Sequence, residues 1–385
     1  MKTLNAPGDL NLSRVLRLVW QVKGISRIEI AQRLGIDKST VTKIASTLED
    51  IGIIRAFAQG TAGPQGGRKP IQLEITPQFA LALGIEINPD GIIVVLADLH
   101  GTIVESLREE HPCLSVQDSF NRALERIKPS IEAKGVPLIG IGLAIPAMVN
   151  ASSGTILQSI PLCLDSPLEF SAWASETYQV PVFVDNDARS GCIGEIILKR
   201  GLEPDNALFL LAEIRRLTGS SDSPKNLSVG FGFIINGQPH YGNDFTAGEF
   251  RSVLWKEGSH GQFKSGALSL DKIGSSKSVT DSVLLELASH VALLANLLDL
   301  DTVFIAGLPD DLTRELSQRI SEEISRKWPY SAPRRTEVIP ASLGDLAVAY
   351  GGAGHCLQRF FSLPNIYQRS GSGPSVKESL EQIKS

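Results

Sequence analysis

The stretch from Ser26 to Ile51, SRIEIAQRLGIDKSTVTKIASTLEDI, leaves its surroundings little freedom in how to fold. Ser26 and Glu29 stand at capping-box spacing, so each can satisfy a free backbone N–H at a helix start. Ile30, Ala31 and Leu34 then put apolar groups on one face. Gly35 permits a sharp turn, Ile36 plugs the corner, and Asp37 is placed to cap a second helix. Val41, Ile44 and Leu48 of that helix point back at the first, and small Ala31 lets the two approach closely. Lys38, Ser39, Thr40, Thr42 and Lys43 are left facing outward near the start of the second helix. Side chains of this kind suit phosphates and base edges in a major groove. The spacing predicts a helix-turn-helix.

Charge supports that reading. Residues 1–70 hold eleven lysines and arginines against five acids, a net +6, whereas the whole chain of 385 residues carries −5. The remainder is therefore at −11. A basic head on an acidic body suits a nucleic-acid module joined to a part that does not touch the polyanion. Met1–Gly8 lacks an apolar signal core, and no apolar run in the sequence reads as a membrane span, so the cytoplasm is the expected compartment and no membrane partner is expected. The four cysteines form no Cys-x-x-Cys pair, which argues against a disulfide framework or a cysteine zinc site.

Leu10–Val22 reads as a helix that walls the small core. After the motif, Ile53–Gln59 and Ile71–Ile75 read as strands around a glycine-rich tip, Gly60–Pro70, giving a winged helix-turn-helix over residues 1–78. Arg68 and Lys69 at the end of that tip are further DNA contacts, since an arginine can enter a narrow minor groove. From residue 79 onward antiparallel strands are followed by alternating helix and strand, and from about residue 201 the pattern starts again. This predicts an α/β body of two lobes, 79–200 and 201–365, facing a cleft, with a polar tail at 366–385. Within the second lobe Thr246–Trp255 is expected to be helical.

Several segments carry a resemblance. GIGLAIPAMVNASSGTI at Gly140–Ile156, VPVFVDNDA at Val180–Ala188, GFGFIINGQPHYG at Gly230–Gly242, AGE at Ala247–Glu249 and FIAG at Phe304–Gly307, together with the wing tip GGRKP, resemble the ROK family, specifically its sugar-responsive transcriptional repressors. The resemblance covers Asn11–Phe361. It implies an actin-like, sugar-kinase-type fold behind the DNA-binding domain. It also implies operator DNA and a sugar or sugar-derivative effector as partners, and a homodimer or dimer of dimers.

In a family kinase the aspartate of Asn-Asp is the catalytic base, and Asp187 resembles it. The donor side departs from the family. Its first phosphate loop, an acidic residue followed by paired glycines and a threonine, reads Glu86-Ile87-Asn88-Pro89-Asp90-Gly91 here. The proline removes an N–H, and Asp90 puts negative charge where phosphates would sit. Asn226-Leu227-Ser228 stands where Gly-Thr-Gly would open the second loop. No phosphorylation activity and no cofactor are therefore expected. After AGE the family's Gly-His becomes Arg251-Ser252 and its cysteine cluster is absent, so no structural zinc is expected. Leu162 replaces the asparagine that follows the proline near Pro161.

Asn186, Asp187 and Glu249 remain as the expected sugar contacts, because a carboxylate or amide can hold two hydroxyls at fixed spacing. Asn186-Asp187 also reads as a turn and helix cap after a strand. Two rival functions stay open at this point. One is an active ATP-dependent sugar kinase with a DNA-binding head; the other is a regulator whose pocket no longer binds a sugar.

Overall fold

The computed structural model describes residues 7–59, 71–111, 115–201, 204–216, 225–257, 261–265 and 272–363. The head contains helices α1 (Pro7–Gln21), α2 (Arg27–Leu34) and α3 (Lys38–Ile51), with short strands β1 (Ile25–Ser26), β2 (Ile54–Gln59) and β3 (Ile71–Ile75) in the order β1-β3-β2. The capping box forms: Glu29 N donates to Ser26 Oγ, and Ser26 N donates to Glu29 Oε2 at 2.9 Å. Gly35 closes α2 in the left-handed region at φ 64°. Asp37 occupies the expected cap position of α3, but its side chain makes no capping hydrogen bond. The tip Gly60–Pro70, with Arg68 and Lys69, and the tail 366–385 lie outside the described residues.

The body holds two sheets of one topology. In the first, β4 (Leu81–Asn88), β5 (Gly91–Asp98) and β6 (Ile103–Glu110) form an antiparallel meander, while β7 (Leu138–Ile145) and β10 (Val182–Asn186) add in parallel on the other side of β4. A hairpin of β8 (Met148–Asn150) and β9 (Thr155–Gln158), absent from the sequence reading, stands apart. In the second sheet β11 (Ala207–Arg216), β12 (Lys225–Ile235) and β13 (Gln238–His240) repeat the meander, with β14 (Thr302–Ala306) and β15 (Glu337–Pro340) in parallel beyond β11. Helices α4 (Val116–Lys134) and α5 (Phe170–Tyr178) cover the first sheet, and α7 (Lys277–Leu297) and α8 (Asp310–Lys327) cover the second. Between the sheets lie α6 (Asp187–Leu198), buried along almost its whole length, and α9 (Ala347–Phe360).

Two expectations need correction. The C-terminal helix, placed with the second lobe by its position in the chain, packs on β4, β7 and α6 instead. Glycines make this possible: a Cβ on Gly84 would lie 1.9 Å from Ala349 O, one on Gly142 1.9 Å from Gly352 O, and one on Gly351 1.7 Å from Ser190 O. The helix approaches the sheet backbone to backbone, which no residue with a side chain would allow. Thr246–Trp255 is not helical. Gly248 adopts φ 102° with its Cα against Phe231 O, and Glu249 bridges Gly230 as an added edge segment.

One described helix, α7, is long and apolar enough to cross a membrane by composition alone. Here it buries Val283, Leu287, Val291 and Ala295 in the core of the second lobe.

The head is welded to the body. Trp20 of α1 stacks on Phe361, just past α9, with ring centroids 4.5 Å apart. Its Nε1 donates to Leu99 O at 3.0 Å, and the Arg200 guanidinium lies 4.5 Å from the ring centre. Head and first-lobe side chains form one continuous apolar cluster, from Val15 and Leu16 through Leu99 to Leu357. Gly142→Ala is expected to destabilise the protein by about 1–3 kcal/mol or more through this overpacking, read as a lowered denaturation midpoint.

Candidate functional site

The head presents its chemistry on α3. Val41, Ala45 and Leu48 are buried, which fixes the rotation of the helix and leaves Lys38, Ser39, Thr42 and Lys43 exposed and Thr40 half-buried. Thr42 Oγ1 donates to Lys38 O at 2.7 Å, so this hydroxyl turns acceptor lone pairs outward. Arg14 Nη2 donates to Leu34 O at 2.9 Å, occupying a free carbonyl at the end of α2 and holding the turn in place.

In the body, β10 ends and α6 begins at Asn186-Asp187. The Asn186 side chain accepts from Arg189 N as a helix cap and donates to Ala147 O, both at 3.2 Å, so half of its hydrogen-bonding capacity is already used. Asp187 is buried and accepts from Ala188 N at 2.8 Å. Its other oxygen lies 3.7 Å from Arg215 Nη1, which arrives from β11 of the second lobe. Arg215 also pairs with Glu213 on its own strand. Across from Asp187 runs β12: a Cβ on Gly230 would sit 4.0 Å from Asp187 Oδ1, and Gly230 is the bridge partner of exposed Glu249. The structure thus places Asp187 close to the Gly230–Glu249 bridge, with Asn186 next to it in the chain.

Burial raises the Asp187 carboxyl to about 7; Arg215 opposes the shift and Glu213 adds to it. Glu86, at the end of β4 and buried, rises to about 8, first through burial and then through the charge of Glu213. Both are acids that the fold keeps protonated beyond the ordinary range.

A second buried cluster was missed by sequence reasoning. Asp185 accepts from Arg189 Nε at 2.8 Å and from His355 Nε2 of α9 at 2.7 Å. Arg189 further donates to Val149 O of the first lobe at 3.1 Å and to Phe245 O of the second at 2.8 Å, and lies over the Tyr241 ring. Burial would raise Asp185, but the His355 hydrogen bond and the Arg189 charge prevail and hold it below the usual range. The i, i+4 spacing of Asp185 and Arg189 was the available signal.

Other expected features fall elsewhere. Leu162 packs partly buried on the first-lobe core. Arg251 is exposed, with its guanidinium 4.4 Å from the centre of the Trp255 ring. Gly307, in the segment that resembles an adenosine site, is closed over by Glu213, whose Cγ would lie 2.5 Å from an added Cβ.

A winged-helix DNA-binding head on a two-lobed, kinase-like body is the class of protein these features define. Residues 82–257 match the ROK family and residues 10–58 the MarR family, and the chain carries a ROK family domain behind a MarR-type winged-helix domain. The xylose repressor of Bacillus subtilis is 27% identical over 244 residues, covering 62% of this chain and 59% of that protein. The DNA-binding transcriptional dual regulator NagC of Escherichia coli is 27% identical over 256 residues, covering 64% and 57%. The chain thus spans less than two thirds of the length of these relatives. Among solved structures, a ROK family transcriptional regulator, homolog of the E. coli MLC protein, superposes with TM-score 0.69 at 17% identity over 91% of this chain and 96% of that one. A ROK family glucokinase from Streptomyces griseus, in complex with glucose and AMPPNP, reaches 0.53 at 18% identity over 71% and 98%. At these identities the structures share the fold.

The raised acid at Glu86 has a consequence for stability. With a folded value near 8 against an ordinary 4.5, the folded state binds the extra proton, so stability falls as pH rises through that window. Glu86→Gln, which cannot ionise, is expected to gain on the wild type by up to a few kcal/mol between about pH 5 and 8, measured by denaturant melts across that range.

Proposed function

We propose that the protein is a DNA-binding transcriptional repressor whose kinase-like body senses a sugar or sugar derivative in the cytoplasm. The observation that carries this reading is the continuous core joining the basic head to the first lobe. The exposed face of α3 meets DNA through Lys38, Ser39, Thr42 and Lys43, with Thr40 at its edge and Arg68 and Lys69 from the wing. The effector is held in the cleft by Asp187, Glu249 and the remaining hydrogen-bonding capacity of Asn186. Residues 1–78 form the DNA-binding domain and the two lobes span 79–200 and 201–365, the helix at 347–360 joining the first. The repressors among the relatives support the same assignment.

The route between the two sites is short. α9 lies against α6, whose first residue is Asp187, and ends beside Phe361, on which Trp20 of the head stacks. Closure of the lobes about a ligand moves α6 and α9 together and re-aims the head. The ligand drives this only through unequal affinity for the two arrangements. In a homodimer two such heads address half-sites one helical turn, or a multiple, apart. Leu285, Leu293 and Leu297 form an exposed apolar strip on α7 that suits contact between copies.

Phosphoryl transfer is left out of this function. A base at Asp187 needs a donor held in line, and the donor side carries Pro89, Asp90 and Glu213 in place of phosphate-binding amides.

Lys43→Ala is expected to weaken operator binding uniformly across sequences and to lower the salt slope by about one. Titration of DNA from upstream of the protein's own gene at several salt concentrations measures this. Asp187→Ala is expected to keep DNA binding and lose release by sugar; a variant still released at the wild-type sugar concentration removes Asp187 from the site.

A further inference from the structure

A cavity of about 190 Å³ opens where the β4–β5 turn faces the end of β11 and the segment Ala306-Gly307. These are the segments that in a kinase of this fold would meet a nucleotide, yet the wall is dominated by carboxylates. Glu109 is held by Arg122 and Arg126, Asp345 by Arg108, and Glu213 by Arg215. That leaves Glu86, Asp90 and Glu110 without a salt bridge among the described residues, although Arg215 faces Glu86 and is shared with Glu213 and Asp187.

Glu86 is the telling member. It is only 2% exposed, and one carboxylate oxygen accepts from Asn88 Nδ2 at 3.0 Å. The other oxygen has no hydrogen bond or ion pair among the described residues, although Glu86 lines the cavity. An acid so deeply desolvated without a cation is costly unless it stays protonated or gains a partner.

We propose that this cavity binds a small organic cation, whose primary ammonium group is received by the free oxygen of Glu86. Phosphate is disfavoured: Pro89 in the β4–β5 turn lacks an N–H, the Gly91 Cα is packed against Glu109 O, and six carboxylates line the cavity against two guanidiniums, each already paired with an acid. A bound metal is disfavoured too, because among the described residues no three His, Cys, Asp or Glu side chains converge as ligands. A compact ammonium with three donors needs no such convergence. The space admits several waters and has room for a short mono- or diamine.

The groups facing Glu86 are Asn88 on its own strand, Glu213 and Arg215 from β11, and Asp187 from α6. An ammonium placed among them favours ionised Glu86, so binding near neutral pH expels a proton. This site neighbours the proposed sugar contact Asp187 but does not require the sugar reading: a sugar that fails to release DNA leaves the cation site standing.

The test is calorimetric titration of the full-length protein at pH 7.5 with 1,4-diaminobutane and, as the anionic counterpart, inorganic pyrophosphate. Each is run in two buffers of different ionisation enthalpy. Saturable binding of the diamine is expected, with an apparent enthalpy that differs between buffers as a released proton requires. Glu86→Gln, checked for folding by its melting curve, is expected to weaken binding at least tenfold, and Asp90→Asn to weaken it less. Pyrophosphate is expected not to bind. The proposal is overturned if the diamine shows no saturable binding, if Glu86→Gln binds it as the wild type does, or if pyrophosphate binds instead. Should Glu86→Gln fail to fold, the buffer dependence of the wild-type enthalpy decides: binding without proton release overturns the site.

Discussion

Contact between bare backbones at the centre of the body is the constraint on which everything else rests. Where α9 crosses β4 and β7, and again where it crosses α6, glycine stands on both sides of the approach or opposite a carbonyl. Close approach without side chains brings the helix within reach of the Asp185–Arg189 pair through His355, and carries its far end to the head. It also removes the rotamer barriers that interdigitated side chains impose, which suits a surface along which two lobes shift by small amounts. The two sheets share one topology, yet only the first has α9 laid across it. The lobes are alike in plan and unlike in what they are bolted to.

The buried charges divide into two kinds. Asp185, Arg189 and His355 form a closed set, in which each of the three arginine nitrogens has an acceptor and the carboxylate has donors on both oxygens. Such a set costs desolvation but, once complete, penalises any rearrangement that breaks it, by about 3–5 kcal/mol for loss of one partner. Asp187, Glu213, Glu86 and Arg215 form an open set with more acid than base. The closed set ties together strands, helices and a loop from both lobes; the open one lines a cavity through Glu86, Glu213 and Arg215 and raises two carboxyls, Glu86 and Asp187, toward neutral pH. Perturbed carboxyls of this sort cluster at functional sites.

Much of this was legible in the sequence because local rules and global packing agree. The capping box at Ser26 and Glu29 and the turn at Gly35 follow from spacing alone. The Asn-Asp at the start of α6 also falls where the motif puts it. What escaped depends on contacts distant in sequence. Ala347–Phe360 carries no mark of which sheet it will cover, and the answer lies in glycines more than 200 positions earlier. Thr246–Trp255 has helical periodicity, but Gly248 is committed to a positive φ against Phe231, and an edge contact overrides propensity. Arg215 gave no signal, since a strand arginine pointing across a cleft looks like one pointing into solvent.

The seam between Trp20 and Phe361 has a consequence for how the molecule is made. Trp20 is made long before Phe361, so during synthesis the indole lacks its stacking partner and the first sheet lacks its cover until α9 emerges. A nascent or prematurely terminated chain therefore carries a head without its seat, exposing apolar surface that chaperones and proteases recognise. Only a chain that includes α9 can seat the head on the body. The long sequence separation of the two rings thereby ties the pose of the head to completion of the first lobe.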